Sequence, residues 1–428
     1  MTDDAVVKVA FSEKWVARDA GRELASRLLA GLSGKPKFVV VYSTIHYAEN
    51  GGFQALLDGI YDVLPKDVPL AGGTVTGFTI PQGCYSHGVA GMAVSYPRMD
   101  VSISVGNNIK RNPSAAAKEC AKKIRADLDG SKLQNQFLFT FSAGTEILDV
   151  PPVGRSPVVR SELLAKTIMS SFSTSQYILQ KGSGREDDLL ASLIVELPNC
   201  KLLHGSAIDD VKLLRNYQFC NNTVLTNAVV CLGVKSDLSV AVSFSHGAEP
   251  NIPFEITKVS DDGRIIHELN GKPAAKELLR LINWQDDFFE EKTFTRRFPF
   301  FPLGLYINGK FFIRPFVMIL GESILLMTKV EKGKAFIARI NGSRMVGSVD
   351  DALSISCVKS PIFGLFTSCA IRFMALGREV YLDRDVLLKH LKDKPFLLGY
   401  CGGEGVYTPE LGLGYLNESV GYAIFGSD

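Results

Sequence analysis

The segment Leu70-Ala71-Gly72-Gly73-Thr74-Val75-Thr76-Gly77 puts three glycines and two hydroxyl side chains at the end of an apolar run. Glycine admits positive φ, and successive free N–H groups in such a turn form a concavity that holds an anion. The same residues would equally serve a tight turn that needs glycine for geometry alone. The spacing is neither G-x-G-x-x-G nor a Walker loop with its Lys-Ser/Thr, so nucleotide binding is not expected. A second apolar run, Cys200 to Ser206, leads into Ala207-Ile208-Asp209 and carries His204 near its end. An imidazole there can hold a ligand carboxylate or act as an axial ligand to haem. The competing reading is a half-buried histidine satisfied by hydrogen bonds. Asp209 and Asp210 suit capping of the turn that follows. Arg372 stands in the apolar stretch Ile362 to Leu376, read as strand. If buried, it requires an acidic partner, and Glu404 is the candidate. Paired, the two brace the C-terminal part. Converging on a cavity, Arg372 would instead clamp a carboxylate.

The remaining reactive types are scattered. Cys369 has no neighbour expected to lower its pKa, so no nucleophile is predicted. The six histidines are isolated in sequence, no Ser-His-Asp order is identifiable, and no H-E-x-x-H occurs. No catalytic residue and no metal site is predicted, although an enzyme whose groups meet only in space stays open. The stretch Phe294, Phe298, Phe300 and Phe301 with Arg296 and Arg297 resembles a nucleic-acid or membrane patch. Pro299 and Pro302 favour a loop wedged into an interdomain core.

Composition bounds the classes. The 428 residues are 46% hydrophobic and 21% charged, which fits two or three ordered domains. Lys plus Arg is 47 against 45 for Asp plus Glu, a formal charge of +2. That balance argues against a nucleic-acid partner, which demands many uncompensated cations. The first twenty residues carry Asp3, Asp4, Glu13 and Asp19 and no apolar h-region, so no secretory signal is expected. No charge-free apolar window is long enough to span a membrane, since Arg314 and Glu322 interrupt the best one, Phe311 to Met327. The eight cysteines, Cys357 among them, form no C-x-x-C pair. Reduced thiols in a cytoplasmic protein are the expectation.

Positioning elements follow from the pattern. Strands are predicted at Val6 to Phe11, Phe38 to Val41, Gly88 to Tyr96, Val101 to Val105, Phe137 to Phe141 and Cys200 to Ser206. The first of these leads to Ser12, placed as the cap of a helix carrying Val16, Ala20, Leu24 and Leu28 on one stripe. Helices are also predicted near Phe53 to Leu64, Ser114 to Leu128 and Leu189 to Leu197. The short link Pro97 to Asp100 suggests a hairpin. From about Val211 strands dominate, with a hairpin turn at Asp261-Asp262-Gly263-Arg264 and helices at Ala274 to Leu281 and Asp385 to Leu391. The fold class is α/β to α+β, two lobes with mixed β-sheets layered with helices. The boundary is predicted between residues 1–247 and 248–428. The strand end Leu70 to Thr74 echoes Leu203 to Ser206.

Five segments in order resemble the FIST family with its N-terminal and C-terminal sensory regions. They are Gly21-Arg22 with the strand ending at Ser43; Leu70 to Gly77, similar to G-C-S-T-x-G-E but with Gly73 at the Cys-like position and Phe78 at the acidic one; His204 to Asp209, similar to G-G-x-A-x-D; Phe366 to Arg372, similar to F-x-C-x-x-R; and Gly399 to Gly405 followed by Asn417-Glu418-Ser419. The resemblance covers residues 15 to 425. It implies a sensory module that binds a small ligand, such as an amino acid or similar metabolite, at Ser43, Gly72, Gly73, Thr74, Thr76, Gly77, His204, Gly205, Ser206, Asp209, Arg372 and Glu404. It implies no fused output here, and hence a separate signalling partner such as a kinase, cyclase or chemotaxis component. No cofactor is predicted. The family includes haem-based nitric-oxide sensors, so haem at His204 is the alternative, and an enzyme using the interlobe cleft is a third.

Overall fold

The computed structural model describes residues 5–147, 156–354 and 358–427, the side chains of 172–175 excepted; Cys357 lies outside this set. The first unit contains β1 (Val6–Ser12), α1 (Ala17–Leu29), β2 (Phe38–Ser43), α2 (Phe53–Tyr61), β3 (Leu70–Thr74), β4 (Phe78–Ile80), β5 (Gly83–Tyr85) and β6 (Val89–Ser95). The second contains β7 (Met99–Asn107), α3 (Pro113–Leu128), β8 (Asn135–Ala143), β9 (Val158–Val159), α4 (Glu162–Thr174), α5 (Glu186–Glu196), β10 (Lys201–Ala207), β11 (Gln218–Cys220), β12 (Thr223–Leu225) and β13 (Ala228–Ser236). The third opens with β14 (Ser239–Ser245).

An insertion follows: β15 (Glu249–Val259), β16 (Ile265–Leu269), β17 (Lys272–Pro273), α6 (Ala274–Ile282), α7 (Glu291–Arg297), β18 (Leu303–Ile307), β19 (Lys310–Arg314), β20 (Phe316–Leu320), β21 (Ser323–Leu326) and β22 (Gly333–Arg339). The third unit then resumes with α8 (Gly342–Ser354), β23 (Ser360–Cys369), α9 (Ala370–Leu376), α10 (Tyr381–Leu391), β24 (Phe396–Cys401), β25 (Glu404–Thr408), β26 (Gly412–Leu416) and β27 (Val420–Ser427).

Three six-stranded sheets repeat one topology: β1-β6-β2-β3-β11-β12, β7-β13-β8-β10-β25-β26 and β14-β27-β23-β24-β4-β5. In each, the central pair is parallel (β2·β3, β8·β10, β23·β24) and every other pairing is antiparallel. Each unit passes its hairpin to a neighbour's sheet. The β4–β5 hairpin completes the third sheet, β11–β12 the first, and β25–β26 the second. The core thus has a pseudo-threefold axis. The echo between Leu70–Thr74 and Leu203–Ser206 marks equivalent third strands.

Burial explains the sequence pattern. The inner faces enclose one core that contains Tyr42, Phe141, Leu203, Leu397 and Val406. The outer faces are covered by α1 and α2, by α3 and α5, and by α8 and α10. Strands covered on both faces read as unbroken apolar runs, as Phe38 to Val41 does.

Two local expectations are corrected. Pro97 to Asp100 is no hairpin link: β6 and β7 belong to different sheets, and the segment carries the chain from the first unit to the second. Ser12 ends β1 and gives its Oγ–H to Glu23 at 2.5 Å, and α1 begins at Ala17 without a side-chain cap.

The inserted strands form a fourth sheet, joined at one edge by β9 of the second unit. Residue 248, the predicted boundary, immediately precedes this insertion. Residues on both sides of it share three of the four sheets, and the β1-β6-β2-β3-β11-β12 sheet comes wholly from the N-terminal side.

Candidate functional site

The glycines singled out in sequence do their work at the axis. The register aligns Gly73, Gly205 and Gly399, each on the third strand of its unit. A Cβ on Gly73 would meet the Phe141 ring at 2.6 Å. One on Gly205 would meet Phe141 and Thr367 at 3.0 Å, and one on Gly399 would meet Tyr42 at 2.7 Å. Tyr42, Phe141 and Thr367 are themselves equivalent, so each unit inserts one side chain over the next unit's glycine. Gly72 packs closer still: its Cβ would lie 1.8 Å from the Val41 carbonyl oxygen. These glycines permit close approach of backbone and ring, which is packing rather than ligand contact.

The anion nest expected at Gly72 to Gly77 is absent, because its donors are used. Thr74 N–H donates to Tyr217 O and Val75 N–H to Ser43 O, both at 2.9 Å. Around the axis runs a cycle of three bonds: Thr76 N–H to Tyr400 O (2.9 Å), Ile208 N–H to Thr74 O (2.9 Å) and Gly402 N–H to Ser206 O (2.8 Å). This ring ties the C-terminal ends of the three third strands together.

Those strand ends floor a cavity of about 770 Å³. Thr76, Ile208 and Gly402, one from each unit, line it together with Cys369, Ala370 and Asn417. The insertion supplies the opposite wall with Phe294, Phe298, Val317, Met318, Leu325 and Met327. Asp210 and Lys212 are its exposed charged lining residues. The cavity thus lies between the threefold core and its inserted cap. The stretch around Phe294 is helical rather than a loop, and Phe294 is buried in the cap's own core rather than in an interdomain one, with Phe298 and Phe301 packed against it.

The predicted residues separate around this cavity. Thr76 lines it and donates its hydroxyl to Asp209 O at 2.9 Å. The Asp209 carboxylate accepts from the N–H groups of Leu213 (2.8 Å) and Leu214 (2.9 Å), which fixes the loop whose residues 210–214 also line the cavity. Ser43 is buried at the end of β2, its hydroxyl on Thr44 O. Gly77 packs against Phe373.

His204 sits inside β10 rather than at a strand end. Its Nδ1 is 2.9 Å from Thr140 Oγ1, and its Nε2 has no partner. Burial pushes its pKa down to about 3, so the ring is neutral. It is not among the cavity's lining residues.

Arg372 lies in α9, not in a strand, and its partner is Asp383 rather than Glu404. One terminal nitrogen donates to both Asp383 oxygens at 2.9 and 3.0 Å, and the other donates to Met345 O at 3.1 Å. Glu404 is fully buried opposite Gly205. Its Oε2 accepts from Ser419 Oγ at 2.9 Å, and its Oε1 has no partner. Desolvation pushes its pKa up to about 8.

Sequence reasoning missed Glu418. It is fully buried, neither of its oxygens has a partner, and burial with Glu404 nearby raises its pKa well above the carboxyl range. It follows Asn417 in the loop before β27 and adopts φ of 51°. The only sequence signal was an acidic residue wedged between apolar strands. Ser368 and Ser206 are likewise buried with hydroxyls lacking partners. Among the described residues no cluster of three His, Cys, Asp or Glu side chains suits a metal ion. No described helix is long and apolar enough to cross a membrane.

The family model described as the FIST N domain matches residues 37–272, more than half of the chain. No curated protein matches. Among solved structures, a crystal structure of cyanuric acid hydrolase from A. caulinodans is similar at 8% identity and a TM-score of 0.28. The match covers 55% of this chain and 72% of that one, a likeness too low to bear on fold or chemistry.

Proposed function

The chain belongs to the FIST family of sensory, ligand-binding signalling modules, and from that premise we propose that its small ligand occupies the axial cavity between core and cap. One observation carries the reading. A volume of about 770 Å³, within the range of small-molecule sites, is walled mainly by aliphatic and aromatic side chains with a few polar groups. Within the class of amino acids and similar metabolites implied by the resemblance, such a lining selects a ligand with a substantial apolar part. Both walls must contribute for binding to become a signal. A ligand touching Ile208 and Gly402 on one side and Phe298 and Met318 on the other favours one setting of cap on core by differential affinity. A separate signalling protein, of the kinase, cyclase or chemotaxis kind, would read that setting. We propose binding, not turnover, as the function.

Haem at His204 does not fit. The ring's Nε2 is enclosed, with Leu190 of α5 packed at the same spot of the sheet, and the ring does not line the cavity.

Native mass spectrometry of the purified protein, followed by thermal-shift screening of metabolites, tests the proposal. A retained or stabilising small molecule is expected, lost in Ile208→Trp, which fills the cavity floor. Binding indifferent to Ile208→Trp, or no binder from either method, sinks it.

A further inference from the structure

The pseudo-threefold axis supplies an internal control for the buried polar groups. Register places Phe78, Gln218 and Glu404 at one equivalent position, each opposite an axis glycine. It places Ser43, Ser142 and Ser368 at another, each paired with a valine of the neighbouring antiparallel strand. Counting back from those valines makes His87, Asn227 and Glu418 equivalent too.

In the second unit both positions are satisfied by neighbouring groups. Gln218 donates to Asn216 at 2.9 Å and accepts from Ala228 N–H at 3.2 Å. Asn227 accepts from Lys110 N–H at 3.0 Å and donates to Gln180. In the first unit Phe78 removes the polar group, and His87 stacks on His46 with ring centroids 3.7 Å apart. In the third unit the same frame carries two carboxyls and leaves three of their four oxygens without partners, the weakly donating Cys369 thiol beside Glu404 apart. The Ser368 hydroxyl beside them is also unpartnered. Arg372 is the nearby cation; its two terminal nitrogens are engaged by Asp383 and Met345 O, and its Nε has no partner.

Buried carboxyl oxygens without donors are costly, and the frame itself does not require them, since the second unit manages with neutral amides. Their place adjoins the cavity. Cys369 and Asn417 both line it, Asn417 is bonded in sequence to Glu418, and the Cys369 thiol feels both carboxyls. We infer that the ligand carries a protonated amine head, which passes between Cys369 and Asn417 and is held by Glu404 and Glu418 while its apolar body fills the cavity. An ammonium has three donors and no acceptor, matching the three unpartnered carboxyl oxygens in number, and its charge would favour ionisation of carboxyls that burial otherwise keeps protonated. A carboxylate head would meet two acids and a guanidinium whose terminal nitrogens are already committed. The inference rests on the proposed use of the cavity.

Calorimetric titration with three probes of one shape tests it: 2-phenylethylamine, ethylbenzene and 3-phenylpropionate, at neutral pH, on the full chain. The amine is expected to bind at least tenfold more tightly than either of the others. Glu418→Gln should abolish that preference while leaving ethylbenzene affinity unchanged, and Glu404→Gln provides the same test should the first variant fold poorly. If ethylbenzene or the acid binds as well as the amine, or if the preference survives both substitutions, the amine site is overturned and the cavity stands. If none of the three binds, the amine site and the use of the cavity fall together.

Discussion

Tyr42 of the first unit lies over Gly399 of the third, where a Cβ would come within 2.7 Å of the ring. The contact is one of three that close the core around its axis. Gly399→Ala must push Tyr42 aside inside a close-packed centre, which typically costs about 1–3 kcal/mol. The expected result in denaturant unfolding is a lower midpoint with unchanged slope. Gly205→Ala should act alike, since Phe141 and Thr367 stand at 3.0 Å from its Cβ position. Unchanged stability with weakened ligand binding would return these glycines to a ligand role.

Arg372 and Asp383 are both fully buried, so removing either leaves an isolated charge. Arg372→Ala is expected to cost about 3–5 kcal/mol, as breaking buried pairs does. Asp383→Asn should destabilise in the same direction. Ligand affinity of the folded fraction should be unaltered in both, because neither residue lines the cavity. An affinity loss without a stability loss would show that Arg372 holds ligand.

These two pairs show what was legible and what was not. The alternation of apolar runs and helical stripes revealed the α/β character, since a sheet buried on both faces leaves an unmistakable run such as Phe38 to Val41. The glycine segments were found for a sound reason, but at the wrong scale. Gly73 and Gly205 are special because of rings contributed from elsewhere in the chain, and no local pattern announces Phe141 opposite Gly73. Hairpins handed between units hid the threefold order in the same way, as β4 and β24 lie over 300 residues apart in the chain. Arg372 was correctly expected to need an acid. Glu404 was the acid expected, and only the fold brings Asp383, eleven residues on and in the next helix, to its guanidinium. An acidic residue between apolar strands was all that marked Glu418, because its isolation is a property of three dimensions.

Stability should fall as pH rises from about 6.5 to 8. The pKa of Glu404 is pushed up to about 8 by desolvation, and that of Glu418 is raised as well, so the folded state holds protons that the unfolded chain releases near the ordinary carboxyl pKa. A raised folded pKa means stability present at low pH and lost as pH rises through the folded value. The histidines oppose this only at lower pH. His204, pushed down to about 3, and His46, to about 4, add stability that is complete once pH exceeds the unfolded imidazole value. Glu186, raised to about 7 by burial, contributes in the same direction as Glu404 over the lower part of the window. Between 6.5 and 8 the carboxyls therefore dominate, at a limiting slope of about 1.4 kcal/mol per pH unit for each group fully titrating. Urea unfolding across that window should show the decline in the parent chain and a shallower one in Glu404→Gln and Glu418→Gln. A bound amine should flatten it too, because the ammonium stabilises the ionised carboxyls that desolvation penalises. A flat profile in the unliganded parent chain would mean that these oxygens have partners in solution.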